Sequence, residues 1–188
     1  MKKFFIMLVA IYLISNTVSA QFEKGGWITS LQGSFGAAGR KSDLYKYHNL
    51  QIKPELLKLL RHNLAVGFVA GIEQSASRMK NYPGGGEQIQ SDLHFQTGPV
   101  VRKYFGNLKL RPYAELSVGV KFSRYYSKYS GEAGSSFSNT EAFIRPALGL
   151  SYMVNDKVSF NISAGTDLMQ PRYRELEINL GISVKLGK

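Results

Sequence analysis

Reading every second residue of 175–187 gives Leu176, Ile178, Leu180, Ile182, Val184 and Leu186. The alternate set is Glu177, Asn179, Gly181, Ser183, Lys185 and Gly187, so one face is aliphatic and the other small, polar or charged. A period of two predicts a β-strand with two different surroundings, because a helix would scatter the same aliphatics around its axis. The run is longer than the ~5–6 residues of an ordinary strand and matches the ~9–11 that cross a bilayer as a tilted strand.

The same pattern recurs along the chain. Strands are predicted over 27–36, 47–60, 64–73, 91–105, 109–125, 141–154, 158–168 and 175–187. Residues 55–61 (Glu-Leu-Leu-Lys-Leu-Leu-Arg) also suit a short amphipathic helix, but the alternation that resumes at Leu64 favours a strand. Short turns are expected near His62, Asn107 and Asp156, and polar loops over 37–46, 77–90 (with Pro83-Gly84-Gly85-Gly86) and 128–138. The short turns recur every ~45–50 residues, one hairpin plus loop per unit. The fold class is therefore all-β: an eight-stranded antiparallel up-and-down barrel with short turns at one end and longer loops at the other.

Two barrels fit such strands. A soluble barrel fills its centre with aliphatics, and a transmembrane barrel turns them toward lipid. The second is favoured because the polar face is rich in Gly, Ala and Ser beside its charges, as a narrow interior requires. Aromatics on the aliphatic face also cluster near strand ends: Trp27, Phe105 and Tyr152 toward the short turns, Phe35, Phe95 and Phe122 toward the loops. The polar face carries Lys53, Arg102, Arg111, Lys121, Arg145 and Lys185 with Glu55, Glu73, Glu115, Asp167 and Glu177.

Composition adds a compartment. Residues 1–20 read as a secretory signal peptide: Lys2 and Lys3, an apolar run over 4–14, and Val18-Ser19-Ala20 as the cleavage site. Residues 21–188 then form one domain. There are no cysteines, which excludes a disulfide scaffold, a thiol nucleophile and a lipid-modified N-terminal Cys. The formal charge is +11, and removing Lys2 and Lys3 leaves +9. For an exported chain that points to anionic envelope lipids and away from nucleic acid.

The segments Ile52-Lys53-Pro54-Glu55-Leu56, Asn63-Leu64-Ala65-Val66-Gly67 and 98–105 (Gly-Pro-Val-Val-Arg-Lys-Tyr-Phe), set among eight alternating strands, resemble the small outer-membrane β-barrel family of OmpA/OmpX type. The resemblance implies an outer-membrane barrel with both termini periplasmic, inserted by the outer-membrane assembly machinery. It departs from the family pattern twice. The last strand ends Leu186-Gly187-Lys188 without the usual aromatic. Pro54, Pro99, Pro112 and Pro146 lie within the predicted strands, where either bulges or different strand ends are expected.

Candidate chemistry is sparse. Gly84-Gly85-Gly86 lacks the Lys-Ser/Thr of a phosphate loop, and His48, His62 and His94 have no metal-ligand spacing, so neither metal nor cofactor is expected. Glu55, Glu73, Arg102, Arg111, Glu115, Lys121, Arg145 and Glu177 are expected to pair across the lumen and plug it. Arg40, Lys41, Arg78, Lys80, Lys128, Arg172 and Arg174 lie in or beside loops, as candidate contacts for lipopolysaccharide phosphates. The expected function is a non-enzymatic, monomeric barrel with an envelope-structural or surface-interaction role. A narrow solute pore is the first alternative, marked by a continuous water path. An outer-membrane lipid enzyme is the second, marked by a serine within hydrogen-bond reach of His94.

Overall fold

In the computed structural model the described residues are 25–39, 45–61, 63–82, 86–106, 108–130, 133–169 and 176–186. The leader expected over 1–20 lies outside them. The strands are β1 (Trp27–Gly39), β2 (Tyr45–Arg61), β3 (Leu64–Tyr82), β4 (Gly86–Tyr104), β5 (Leu110–Tyr129), β6 (Ser135–Met153), β7 (Val158–Gly165) and β8 (Glu177–Leu186). Each pairs antiparallel with its sequence neighbour, and β1 pairs with β8, closing the barrel. Closure leaves no sheet edge, the condition for taking a β-structure into hydrocarbon.

The barrel is inside out relative to a soluble protein. Leu180 is 64 % and Leu148 70 % exposed, and Leu31, Ile52, Phe68, Ile72, Leu116 and Ile162 also face outward. The buried positions are dominated by polar and charged side chains, among them Gln32, Gln51, Lys53, Glu55, Gln96, Arg102 and Arg145. Such a surface is stable only against lipid, so the chain is an eight-stranded transmembrane β-barrel. Trp27, Phe105 and Tyr152 lie outward at the short-turn end, and Phe35, Phe95 and Phe122 lie outward higher up; Phe95 and Phe122 stack at 6.3 Å.

Residues 55–61 are strand, the end of β2, as the resumed alternation favours. Two other expectations from sequence need correction. The polar stretches 77–90 and 128–138 are largely strand as well, since β3 runs to Tyr82, β4 starts at Gly86, β5 runs to Tyr129 and β6 starts at Ser135. Beyond the bilayer both faces of a hairpin meet water, so the ladder continues (Arg78↔Ile89, Lys80↔Glu87) after the hydrophobic alternation has faded. The second concerns the prolines. The registers pass Pro54, Pro99, Pro112 and Pro146 without a shift; shifts occur between Leu59 and Arg61 and between Lys80 and Tyr82. The missing N–H is accommodated on one side only. The β2–β3 ladder omits Lys53 and Pro54, and the β4–β5 ladder omits Gly98 and Pro99. Pro112 and Pro146 sit where β4 and β7 have ended, and there they only accept, from the backbone N–H groups of Phe105 (2.8 Å) and Thr166 (3.3 Å).

Strand length divides the wall. β3 to β6 have 19, 19, 20 and 19 residues, roughly twice the ~9–11 needed to span, whereas β7 has 8 and β8 has 10. Two hairpins, β3–β4 and β5–β6, therefore stand well above the membrane and β7–β8 does not. Inside, glycines let backbone and rings approach closely. A Cβ at Gly98 would lie 2.7 Å from the Cα of Gly119, and one at Gly149 would lie 2.6 Å from the Tyr113 hydroxyl.

Candidate functional site

The alternation that turns aliphatics to lipid turns Lys53 and Glu55 of β2, Arg102 of β4, Glu115 and Lys121 of β5, Arg145 of β6 and Glu177 of β8 into the lumen. The barrel interior is the candidate site, and it is built in layers from the short-turn end upward.

The lowest layer is apolar. Ile28, Leu57, Leu59, Ala65, Val69, Val100, Tyr104, Tyr113 and Met153 form one buried cluster. The sequence does carry a sign of this plug. Near the short turns, strands become apolar on both faces, as in Leu56-Leu57, Trp27-Ile28 and Tyr104-Phe105. An alternation analysis that looks for a polar inner face passes over these positions.

Directly above, Arg102 is fully buried and clamped between two carboxylates. Its Nη2 lies 2.5 Å from Glu55 Oε2, and its Nε donates to Glu115 Oε2 at 2.6 Å. The remaining guanidinium N–H groups are also engaged. Nη1 donates to the Tyr104 hydroxyl at 3.4 Å, and the group lies over the Tyr113 ring at 4.8 Å. Gln32 Nε2 donates to the other Glu55 oxygen at 2.8 Å, and Ser163 Oγ donates to Gln32 Oε1 at 3.2 Å. A planar cation that forks between two acids and is backed by a ring is the arrangement in which burying charge is tolerable.

The next layer is a second shared acid. Glu177 receives Arg145 Nη2 at 3.1 Å and Lys53 Nζ at 3.6 Å. Higher still, Lys121 and Glu141 stand 3.9 Å apart, while Glu73 accepts from Asn49 Nδ2 at 3.0 Å and from Gln51 Nε2 at 3.2 Å. Of the eight residues expected to pair, five thus meet in two clusters, Arg102 with Glu55 and Glu115, and Glu177 with Arg145, and a sixth, Lys121, pairs separately. Glu141 and Lys53 join them. Arg111 lies below, at the short-turn end, where its Nε donates to the Leu108 carbonyl at 3.0 Å. Glu73 is held by amides. The space left among Lys53, Glu55, Gln96, Glu115, Arg145 and Asn179 is a cavity of about 10 Å³, the room of one water-sized sphere.

Near the top of the belt, His94 Nδ1 and Ser123 Oγ are 2.8 Å apart, and His94 packs edge-on against Tyr125 at 5.6 Å. Among the described residues no group of three or more His, Cys, Asp or Glu side chains could hold a metal ion.

The loop-side cations are dispersed. Arg78 forks onto Glu87 across the β3–β4 hairpin, its Nη2 donating to Oε2 at 3.0 Å and its Nε to Oε1. These hydrogen bonds hold the Glu87 carboxyl below its ordinary range. Lys80 and Lys128 are exposed on the same raised hairpins. Arg40, Lys41, Arg172 and Arg174 lie outside the described residues.

No protein-family model and no curated protein matches the chain. Solved structures do. The outer membrane protein OprG from Pseudomonas aeruginosa superimposes with a TM-score of 0.50 at 13% identity, over 91% of this chain and 100% of that one. The N-terminal β-barrel domain of OprF from the same organism gives 0.49 at 13% identity, over 87% and 98%. At that identity the likeness is one of fold: an eight-stranded membrane barrel.

Proposed function

We propose that this chain is an integral outer-membrane barrel of the OmpA/OmpX type with an envelope-structural or surface-interaction role, and that its lumen does not conduct. Residues 1–20 act as the export signal, residues 21–188 are the mature barrel, both termini face the periplasm, and the assembly machinery inserts the chain as a monomer. The observation that carries the reading is the stacked closure of the lumen. An apolar cluster lies beneath the Arg102 clamp and the Glu177 cluster, and the cavity between Glu55, Glu115 and Arg145 has about 10 Å³. An eight-stranded barrel has an interior just wide enough for side chains to fill, which supports a filled lumen. The raised β3–β4 and β5–β6 hairpins supply the outward surface. Arg78, Lys80 and Lys128, with Arg40, Lys41, Arg172 and Arg174, are the groups assigned to lipopolysaccharide phosphates.

Planar-bilayer recording tests this directly. Purified protein is expected to give no stable conductance steps, and reproducible steps from wild-type protein overturn the closed lumen in favour of a narrow pore.

One observation favours the enzymatic reading, the 2.8 Å approach of Ser123 to His94. Against it stands access. Ser123 is 3 % exposed and on the lumen face, whereas an acyl ester of a membrane lipid lies outside the wall. Hydrolysis of lipid A or phospholipid by purified protein, lost on Ser123→Ala, would restore the enzyme.

A further inference from the structure

Most cations inside the barrel have carboxylates within reach, but a second group of cations lies on the outside with none among the described residues. At the short-turn end Lys58 of β2 and Lys103 of β4 face outward on either side of Leu64 and Val66 of β3, in the rows Lys58↔Val66↔Val101 and Arg61↔Leu64↔Lys103. Strands are about 4.8 Å apart, so residues two strands apart stand roughly 10 Å apart, a gap a phosphodiester can bridge with long side chains. Arg61, level with Lys103 at the end of β2, completes the cluster.

Two of these side chains are already oriented. Lys103 Nζ donates to Asn63 Oδ1 at 2.9 Å, and Lys58 Nζ lies 5.5 Å from the centre of the Trp27 ring. Lys109 and Lys157, in the short turns, continue the positive rim around the barrel. Among the described residues the one carboxylate at this end is Asp156, in the β6–β7 turn on the far side of the ring.

The height of the cluster identifies its ligand. Trp27, Phe105 and Tyr152 mark the lipid–water boundary at this end, and Lys58 and Lys103 stand beside them, at headgroup level. Immediately above, Val66, Phe68 and Val101 present an apolar surface for acyl chains. Cations at a headgroup boundary, unmatched by acid among the described residues and bordered by an apolar wall, are complementary to one chemistry.

We infer that Lys58, Arg61 and Lys103 form a binding site for the headgroup of an anionic phospholipid in the leaflet at the short-turn end. The inference rests on the membrane-spanning fold and not on the closed lumen, so a conducting barrel would leave it intact.

Trp27 is the single tryptophan of the chain and is seated beside Lys58, so its fluorescence reports this site. The full mature chain is reconstituted in phosphatidylcholine vesicles, and the quenching of Trp27 by brominated-chain phosphatidylglycerol is compared with that by brominated-chain phosphatidylcholine. A cation near a lipid surface contributes about fivefold in affinity, so the anionic lipid is expected to be preferred by about fivefold or more at low salt. The preference should shrink with added salt and disappear in Lys58→Gln/Arg61→Gln/Lys103→Gln. Lys58→Arg/Lys103→Arg should retain it, as should Lys157→Gln in the β6–β7 turn on the far side of the ring. Equal quenching by the two lipids in wild-type protein overturns the site. So does a preference that survives the triple substitution in protein that is folded by heat-modifiable gel mobility.

Discussion

The lower and upper halves of the lumen hold the same residue types under different rules. Below, Arg102 is fully buried, touches two carboxylates, a hydroxyl and a ring, and rests on an apolar plug. Above, Lys121 and Glu141 are 3.9 Å apart with the acid partly open to water, and Phe137 on the inner face of β6 is 64 % exposed because β7 and β8 stop short of it. Charge enclosed by lipid and wall must be fully matched, whereas charge near an open rim is matched by water. Geometry in the lower half is therefore tight and multidentate, and in the upper half it is loose.

The most severe test of this contrast is Arg102→Met. It leaves Glu55 and Glu115 facing each other in a dry layer and should cost about 3–5 kcal/mol in a urea refolding titration. Adding Glu55→Gln and Glu115→Gln should recover most of the loss. If the single substitution is harmless, the lower half is wetter than its packing implies.

On the outside, Leu180→Arg places a charge mid-belt and should cost about 2–4 kcal/mol in the same titration. Gln74→Arg, outward on β3 above Ile72, should be close to neutral, and a large loss there would raise the lipid boundary. Gly149→Ala drives a methyl into the Tyr113 ring and the Ile162 carbonyl, and should cost about 1–3 kcal/mol by overpacking. Lys121→Met removes one side of the loose upper pair and should cost no more than about 1 kcal/mol. A loss as great as that of Arg102→Met would erase the difference between the halves.

The smallest effect belongs to the raised hairpins. Glu87→Gln breaks the exposed fork with Arg78, and no change in refolding midpoint is expected at neutral pH. Because the Glu87 carboxyl titrates below its unfolded value of about 4.3, any support it gives is complete above that pH and is lost as pH falls through the lower folded value. A midpoint difference between wild type and Glu87→Gln that grows on acidification contradicts that sign.

Much of this was legible in the chain. The inward and outward sets of Leu64–Glu73 or Lys109–Tyr125 follow from parity alone, since a strand places successive side chains on opposite faces and one face must meet lipid. Strand ends were not legible above the membrane, where Ser77–Gln90 reads as loop yet pairs as hairpin. Without a medium that differs between the two faces, composition carries no period. The prolines misled for a related reason. Sequence shows the absent N–H, but not whether the neighbouring strand has already ended, as it has beside Pro112 and Pro146.

Alternation, a property of single strands, was enough to establish eight spans, their facing and an interior rich in Lys, Arg and Glu. Partnership is a property of the closed ring. That Arg102 meets Glu55, 47 residues away, while Arg111 meets the Leu108 carbonyl and Glu73 meets two amides depends on register and on the tilt that brings β2, β4 and β5 together. The same closure gathers Leu57, Leu59, Tyr104 and Tyr113 into one apolar cluster at one end, and leaves Arg61 and Lys103 facing each other across Leu64 on the outer wall, with Lys58 in the next row. Neighbours across a lumen or along a wall are set by strands far apart in sequence, so only the assembled barrel decides which charges are matched inside and which gather on the outer wall.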